Sequence, residues 1–323
     1  MGVYHLMGLG RSPGTVIGPL TYLAHRYNRW NAEDRRFFAR SGEVRQRAAG
    51  EKVGDVQALV LFTTREVLSG EVFTLDYVDN QPGMVAKVPL TKGGPMKDVL
   101  RRLLRREWPA ISGGRREGTI FWCEVDRRDI RTTYERVIRV VAALAGAGGQ
   151  GKEMWANLTG GNNVINFALE LAAILSGDVA RLYYVQAENE AAEKCVRYTA
   201  ENGYWVELPV MPLALGRLRR EIIDLVATCG PVTVDDLYST LHSKYWDLVR
   251  GLTSERVLWE EHLEPMWKQG LIAEADGGYV VGPQWELIRS YQETLKKARQ
   301  EGLTIEALVQ KESWLERETL EFE

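Results

Sequence analysis

Trp155-Ala156-Asn157-Leu158-Thr159-Gly160-Gly161-Asn162-Asn163 is the stretch on which the reading of this chain turns. It follows a short apolar run and opens a helical pattern over 163–175. Paired glycines let a backbone approach a neighbour or a ligand closely. The first amides of the following helix have no partner within it, and the helix dipole adds positive potential there. A strand, a glycine turn and a helix in that order predict an anion site, with phosphate as the natural ligand.

The beginning of the chain repeats the arrangement. Residues 3–9 form an apolar run that enters Gly8-Leu9-Gly10-Arg11-Ser12-Pro13-Gly14, and Pro19 suits the first turn of a helix over 19–30. As a dinucleotide fingerprint the turn fails, because Pro13 breaks the glycine spacing and no acidic partner for a ribose is well placed. Further strands are expected at 56–63, 119–125, 153–158 and 181–185, with weaker ones at 71–78 and 84–88. Helices are expected at 97–108 and 130–147. Asn202-Gly203 predicts a hairpin over 195–208. The helix at 97–108 carries Arg101, Arg102, Arg105 and Arg106, read as a solvated face. Alternating strands and helices predict an α/β fold, Rossmann-like, with a mostly parallel sheet. Both glycine turns then lie on the edge where such sheets bind ligands.

Composition bounds the rest. The 323 residues, 45% hydrophobic and 26% charged, suit an ordinary globular protein, and the length suggests ~2 domains. No apolar run is long enough to cross a membrane, and the N-terminus has no signal-peptide pattern. Cys123, Cys195 and Cys229 are odd in number and far apart, which fits neither a disulfide framework nor a zinc site and suggests the cytoplasm. No carboxylate and histidine cluster implies a metal, and no cofactor is expected. His5 reads as a satisfied core histidine. Net charge is −3 overall, divided as +4 over 1–215, −5 over 216–295 and −2 over 296–323. The positive half holds both glycine turns, which favours an anionic ligand there.

The predicted organisation is a ligand-binding domain over 1–212, a second domain over 213–300 and an acidic tail over 301–323. In the second domain, helices are expected over 218–229, 234–242 and 255–269. A hairpin follows, tipped by Asp276-Gly277-Gly278. That order predicts a winged helix-turn-helix. Its third helix carries Arg256 and Lys268 against Glu255, Glu260, Glu261 and Glu264. DNA remains a possible partner, disfavoured because duplex affinity depends on basic phosphate contacts.

These motifs resemble the CARF family, the CRISPR-associated Rossmann-fold sensors of cyclic oligoadenylate. Asn157-Leu158-Thr159-Gly160-Gly161-Asn162-Asn163 is similar to the family's Asn-Leu-Thr-Gly-Gly-Thr-Lys signature. The Gly10-Arg11-Ser12-Pro13 turn and the strand Leu182-Tyr183-Tyr184-Val185-Gln186 also fit. The resemblance covers roughly 1–211. It implies a homodimer whose two-fold axis matches the symmetry of a cyclic oligonucleotide, with cyclic tetra-adenylate favoured. The implied ligand-binding residues are Gly10, Arg11, Ser12, Pro13, Gly14, Thr159, Gly160, Gly161, Asn162 and Asn163.

With a winged helix attached, the chain resembles two branches of that family: ring nucleases, which degrade the messenger in antiviral defence, and transcription regulators. The ring nucleases use no metal, and a ribose 2′-hydroxyl attacks the adjacent phosphate. The implied catalytic residues are Ser12, Arg11 and Asn163. Asn163 departs from the family pattern, since a lysine stands there in the ring nucleases. Asparagine donates a hydrogen bond but carries no charge, and Arg11 can supply that charge. A non-catalytic regulator acting through the winged helix is the alternative. A HEPN-type ribonuclease, suggested by the spacing of Arg256 and His262, is a third.

Overall fold

The computed structural model describes residues 2–38, 54–80, 89–112, 117–146, 152–209 and 217–322. The chain divides into two compact units, Met1–Pro212 with Leu295–Glu323, and Leu213–Thr294. The expected strand at 84–88 and the proline boundary at Pro212 lie outside the described residues.

In the first unit the elements run β1 (Val3–Gly8), α1 (Gly14–Arg29), α2 (Ala32–Phe38), β2 (Val56–Thr63), α3 (Arg65–Leu68), α4 (Met96–Ile111), β3 (Glu117–Glu124), α5 (Ile130–Ala145), β4 (Glu153–Asn157), α6 (Asn163–Ser176), β5 (Val179–Ala187), α7 (Glu190–Glu193) and β6 (Gly203–Leu208). Five strands in the order β5-β4-β1-β2-β3 are parallel. The chain leaves β1 toward β2 and β3, then crosses back to β4 and continues outward to β5. The switch in direction therefore falls between β1 and β4.

Strand periodicity divides the core. Met7, Leu59, Leu61, Ile120 and Trp122 pack in one buried cluster with Ile17 and Leu20 of α1 and Leu100 and Leu103 of α4. The intervening positions Leu6, Val60, Phe62 and Phe121 are also buried, so side chains are covered on both faces of the sheet. These near-continuous apolar runs are what made the parallel strands visible in the sequence.

The strand expected at 71–78 is not formed; Phe73, Tyr77 and Val78 make isolated bridges to Pro95, Thr91 and Cys195. Three further expectations are corrected. First, α1 begins at Gly14 with Pro19 inside it, not in its first turn. A proline there frees the carbonyl four residues back. That carbonyl, on Thr15, accepts from Asn157 Nδ2 at 3.4 Å. Second, the Asn202-Gly203 turn is present, with the Gly203 amide donating to the Thr199 carbonyl, but it does not close a hairpin over 195–208. It delivers β6 antiparallel onto β5. Third, residues 301–323 are not a separate acidic tail. A short helix, Ile305–Lys311, leads to a strand, Leu315–Glu321, which pairs antiparallel with β3 and completes a seven-stranded sheet.

That last strand carries too few apolar residues to be recognised by alternation alone. Its position is set by charge. Glu318 accepts from Arg101 Nε and Nη2 at 2.6 and 3.0 Å and from Trp122 Nε1 at 2.8 Å. Lys97 reaches Glu316 at 2.7 Å, and Arg139 pairs with Glu301 and Glu312. Part of the arginine-rich face of α4 is therefore a seat for this strand, not a solvated surface.

The second unit contains helices α8 (Arg217–Cys229), α9 (Val234–Lys244) and α10 (Trp246–Val249), a helical run from Glu255 to Lys268, and a two-stranded antiparallel sheet of Ile272–Ala275 and Gly278–Val281. Ile222, Ile223, Leu237, Leu241, Leu258 and Met266 share its core. Within the helical run, Trp259–Leu263 forms a π-helical turn just before Pro265. The Glu261 carbonyl, four residues before Pro265, accepts from Arg219 Nη2 at 3.5 Å.

A chain truncated after Gly302 should lose at least ~3 kcal/mol, the scale of removing two buried leucines, here Leu315 and Leu320. Urea unfolding checks this. A midpoint equal to that of the intact chain would mean that the C-terminal strand is dispensable.

Candidate functional site

The C-terminal ends of β1 and β4 lie side by side, because Met7 is in register with Asn157. In open α/β sheets this position, where the direction of strand order reverses, forms a crevice for ligands. The two glycine turns meet there. A Cβ on Gly8 would lie 2.7 Å from the Gly160 carbonyl oxygen, and one on Gly160 would lie 2.5 Å from the Gly8 carbonyl oxygen and from Thr15 Oγ1. Gly161 has φ +85°, in the region that favours glycine. These glycines serve loop-to-loop packing first. Gly14 does the same against the Cys195 carbonyl oxygen, 2.7 Å from where its Cβ would be, whereas Gly10 is open.

Side chains hold the second loop in place. Asn157, fully buried, accepts from the Thr159 amide at 2.8 Å. Thr159 Oγ1 accepts from the Val185 amide at 2.8 Å and ties the loop to β5. Asn166 Nδ2 donates to the Leu158 carbonyl at 3.2 Å. Asn162 is the N-cap of α6, its Oδ1 accepting from the Ile165 amide at 2.9 Å. Its side-chain oxygen is thus used within the helix start. Asn163, by contrast, is exposed in the first turn.

The backbone of this region is left open to a ligand. The amides of Gly10, Arg11, Ser12, Gly160, Gly161 and Asn163 have no acceptor among the described residues. Arg11 is exposed, with Nε donating to the Phe73 carbonyl at 3.0 Å, which leaves its terminal nitrogens open. Donors from both loops and a helix start converge on one edge of the sheet, an arrangement suited to an anion.

Beside the loops lies a cavity of about 510 Å³. Of the expected site residues, Ser12, Pro13 and Thr159 line it; Gly10, Arg11, Gly14, Gly160, Gly161, Asn162 and Asn163 do not. The remaining wall comes partly from Tyr77, Tyr184, Gln186, Lys194 and Tyr198. Tyr184 and Gln186 belong to β5, a strand that was legible, but neither was singled out as a site residue. Lys194 and Tyr198 come from the connection before β6 and carried no local signal. Burial, with Cys195 and Glu193 nearby, pushes the Tyr198 phenol up to about 12, so it stays protonated.

His5 lies beneath this edge on β1. It is fully buried, with Nδ1 at 2.9 Å from the Tyr183 hydroxyl and its ring edge-on to Trp155. Nε2 has no partner among the described residues, so the expected satisfied histidine is satisfied at one nitrogen only. Burial, followed by the charge of Arg181, lowers its pKa from 6.5 to about 3. Among the described residues there is no cluster of three or more metal-ligating side chains, and no helix is long and apolar enough to cross a membrane.

Two predictions follow from this packing. Gly160→Ala should destabilise the fold by ~1–3 kcal/mol, the range for overpacking, measured by urea unfolding. An unchanged midpoint would contradict the close loop contact. The second concerns pH. Unfolded His5 takes up a proton near 6.5 and folded His5 only near 3, so its contribution is complete above 6.5 and declines as pH falls toward 3. Between about pH 7 and 5, stability of the wild type should fall more steeply than that of His5→Phe, with a limiting slope near 1.4 kcal/mol per pH unit. Equal slopes would place a charged histidine in the core.

No family model matches the chain. It is similar to an uncharacterized protein of Archaeoglobus fulgidus, 26% identical over 259 residues, covering 75% of this chain and 79% of that protein.

Proposed function

We propose that the first unit binds a cyclic oligoadenylate at the β1–β4 switch point and opens the ring without a metal. The observation that carries this reading is the set of open amides on two glycine loops at one sheet edge. Six backbone donors, with Arg11 and the start of α6, suit the phosphates of a polyanion. The adjoining cavity, walled by Tyr77, Tyr184, Gln186 and Tyr198, suits a planar base with polar edges. The resemblance of 157–163 and 10–13 to the CARF motifs selects cyclic oligoadenylate among such ligands, with cyclic tetra-adenylate as the favoured ring.

A second copy of the chain completes the site in this reading. Phe73 and Leu75, whose backbone holds Arg11, are 52% and 51% exposed, and Phe167, one turn into α6 from Asn163, is 51% exposed. Large apolar side chains in the open beside a polar site support a surface that a second copy covers.

Ring opening requires the 2′-hydroxyl of one ribose to attack the neighbouring phosphorus. The P–O5′ bond breaks, the 2′ proton is lost, the leaving 5′ oxygen is protonated, and a 2′,3′-cyclic phosphate remains. The protein aligns the attack and stabilises charge on the non-bridging oxygens. Ser12, which lines the cavity, aligns the reacting ribose and phosphate. Arg11 supplies charge, and Asn163 donates a hydrogen bond where a lysine would donate both.

The second unit's helices, followed by the hairpin of Ile272–Ala275 and Gly278–Val281, support a winged helix-turn-helix, and with it the alternative of a ligand-responsive regulator. The charge of its third helix argues against DNA. Arg256 is held by Glu260 and Lys268 by Glu264, both at 2.7 Å, while Glu255 and Glu261 are uncompensated by these pairs. For a HEPN-type ribonuclease, Arg256 and His262 must converge on one substrate. Arg256 is exposed and paired, whereas His262 Nδ1 is buried inside the π-helical turn.

Labelled cyclic tetra-adenylate incubated with the protein in EDTA should yield a linear product ending in a 2′,3′-cyclic phosphate. Ser12→Ala should cut turnover by ~100-fold or more, the scale of losing one well-placed transition-state donor, with binding changed far less. Binding without product would leave the regulator, for which a gel shift on the promoter of its own operon is the test. Failure to bind any cyclic adenylate would remove the family reading.

A further inference from the structure

We infer that Lys194 is the cation that receives a phosphate of the ligand in the cavity beside the glycine loops. The assignment rests on the adenylate-binding reading above and names a residue that its motifs do not contain. Those motifs leave the positive charge to Arg11, because Asn163 is neutral. Arg11 does not line the cavity, whereas Lys194 does, together with Ser12 and Thr159.

The balance of charge around the cavity makes this lysine decisive. Asp76, Glu190 and Glu193 also line it, and Lys194 is the one Lys or Arg among its described lining residues. Three carboxylates with no cation would repel a phosphodiester. Lys194 has no ion pair among the described residues, despite sharing the cavity with those carboxylates. Asp76 instead holds Lys92 Nζ at 3.1 Å and the Gly93 amide at 2.8 Å. An unpaired ammonium on a wall that also carries a serine and a threonine hydroxyl is available for an incoming anion.

The backbone around Lys194 is held against the Ser12 turn. The Val78 amide donates to the Lys194 carbonyl at 2.7 Å, the Cys195 amide to Ala192 at 2.9 Å and the Val196 amide to Val78 at 3.1 Å. The Cys195 carbonyl oxygen occupies the space that a Cβ on Gly14 would need, and Ser12 Oγ lies 3.6 Å from that same point. Glycine at 14 thus lets the 194–195 segment approach the turn that carries Ser12. The glycine assigned to ligand binding acts by admitting the carbonyl of Cys195, the residue next to the lysine.

Binding of cyclic tetra-adenylate by wild type, Lys194→Ala and Lys194→Arg, measured by calorimetry across a series of salt concentrations, tests this. The expected result is a weakening of ~10-fold or more for Lys194→Ala, with the slope of log affinity against log salt reduced by ~0.7, the value for one phosphate contact on a single strand. Lys194→Arg should keep both affinity and slope close to wild type. Lys194 is exposed, so folding should survive either change, checked by circular dichroism. Unchanged affinity and slope in Lys194→Ala would overturn the assignment and leave the proposed function standing. Weaker binding with an unchanged slope would assign Lys194 a structural role and overturn it equally. No binding by the wild type would overturn this assignment and the proposed function together.

Discussion

The contact between the backbone of Gly8 and that of Gly160–Gly161 is the constraint on which the rest of the first unit depends. Neighbouring parallel strands end in turns that must leave in different directions, and here the two turns touch without side chains between them. Any Cβ at Gly8 or Gly160 would occupy space already filled by the other loop. With the loops this close, their outward amides collect on one edge of the sheet. Asn157, Thr159 and Asn166 then use side-chain hydrogen bonds to hold a loop whose own amides stay available.

The same economy recurs where prolines interrupt helices. Pro19 frees the Thr15 carbonyl, and Asn157 supplies the donor that replaces the lost amide. Pro265 follows a π-helical turn, and Arg219 approaches the Glu261 carbonyl. In the first case the compensating residue is also the anchor of the candidate site. Asn157 therefore links the start of α1 to the turn after β4, and the two halves of the site are held by one side chain.

Charge is handled differently inside and at the site. Buried ions are paired: Asp34 with Arg26 and Arg29, and Arg181 with Glu207 while lying over the rings of Phe37 and Trp155. Burial alone would raise the Asp34 carboxyl, but hydrogen bonds from Arg29 and the Asn31 amide and the charges of both arginines hold it below the usual range. At the switch point, Arg11 keeps open nitrogens and Lys194 has no described ion pair. Unpaired cations beside open amides suit an anion, whereas the paired ions inside hold the fold together.

Much of the α/β order was legible because parallel strands buried on both faces leave apolar runs, and because the turns after β1 and β4 are marked by glycine. The sequence by itself determined the strand–turn–helix units, the start of α6 at Asn163 and the neighbourhood of Gly10–Gly14. It did not reveal the last strand, since Leu315–Glu321 is held by Glu318 on Arg101 and Trp122, partners more than 190 positions away. Nor did it reveal that Gly8 and Gly160 face each other, or that Lys194 joins Ser12 in one wall. Periodicity is a local property and survives in the sequence. Ion pairs, loop-to-loop contacts and cavity walls join residues that are distant along the chain, so only the tertiary structure decides them.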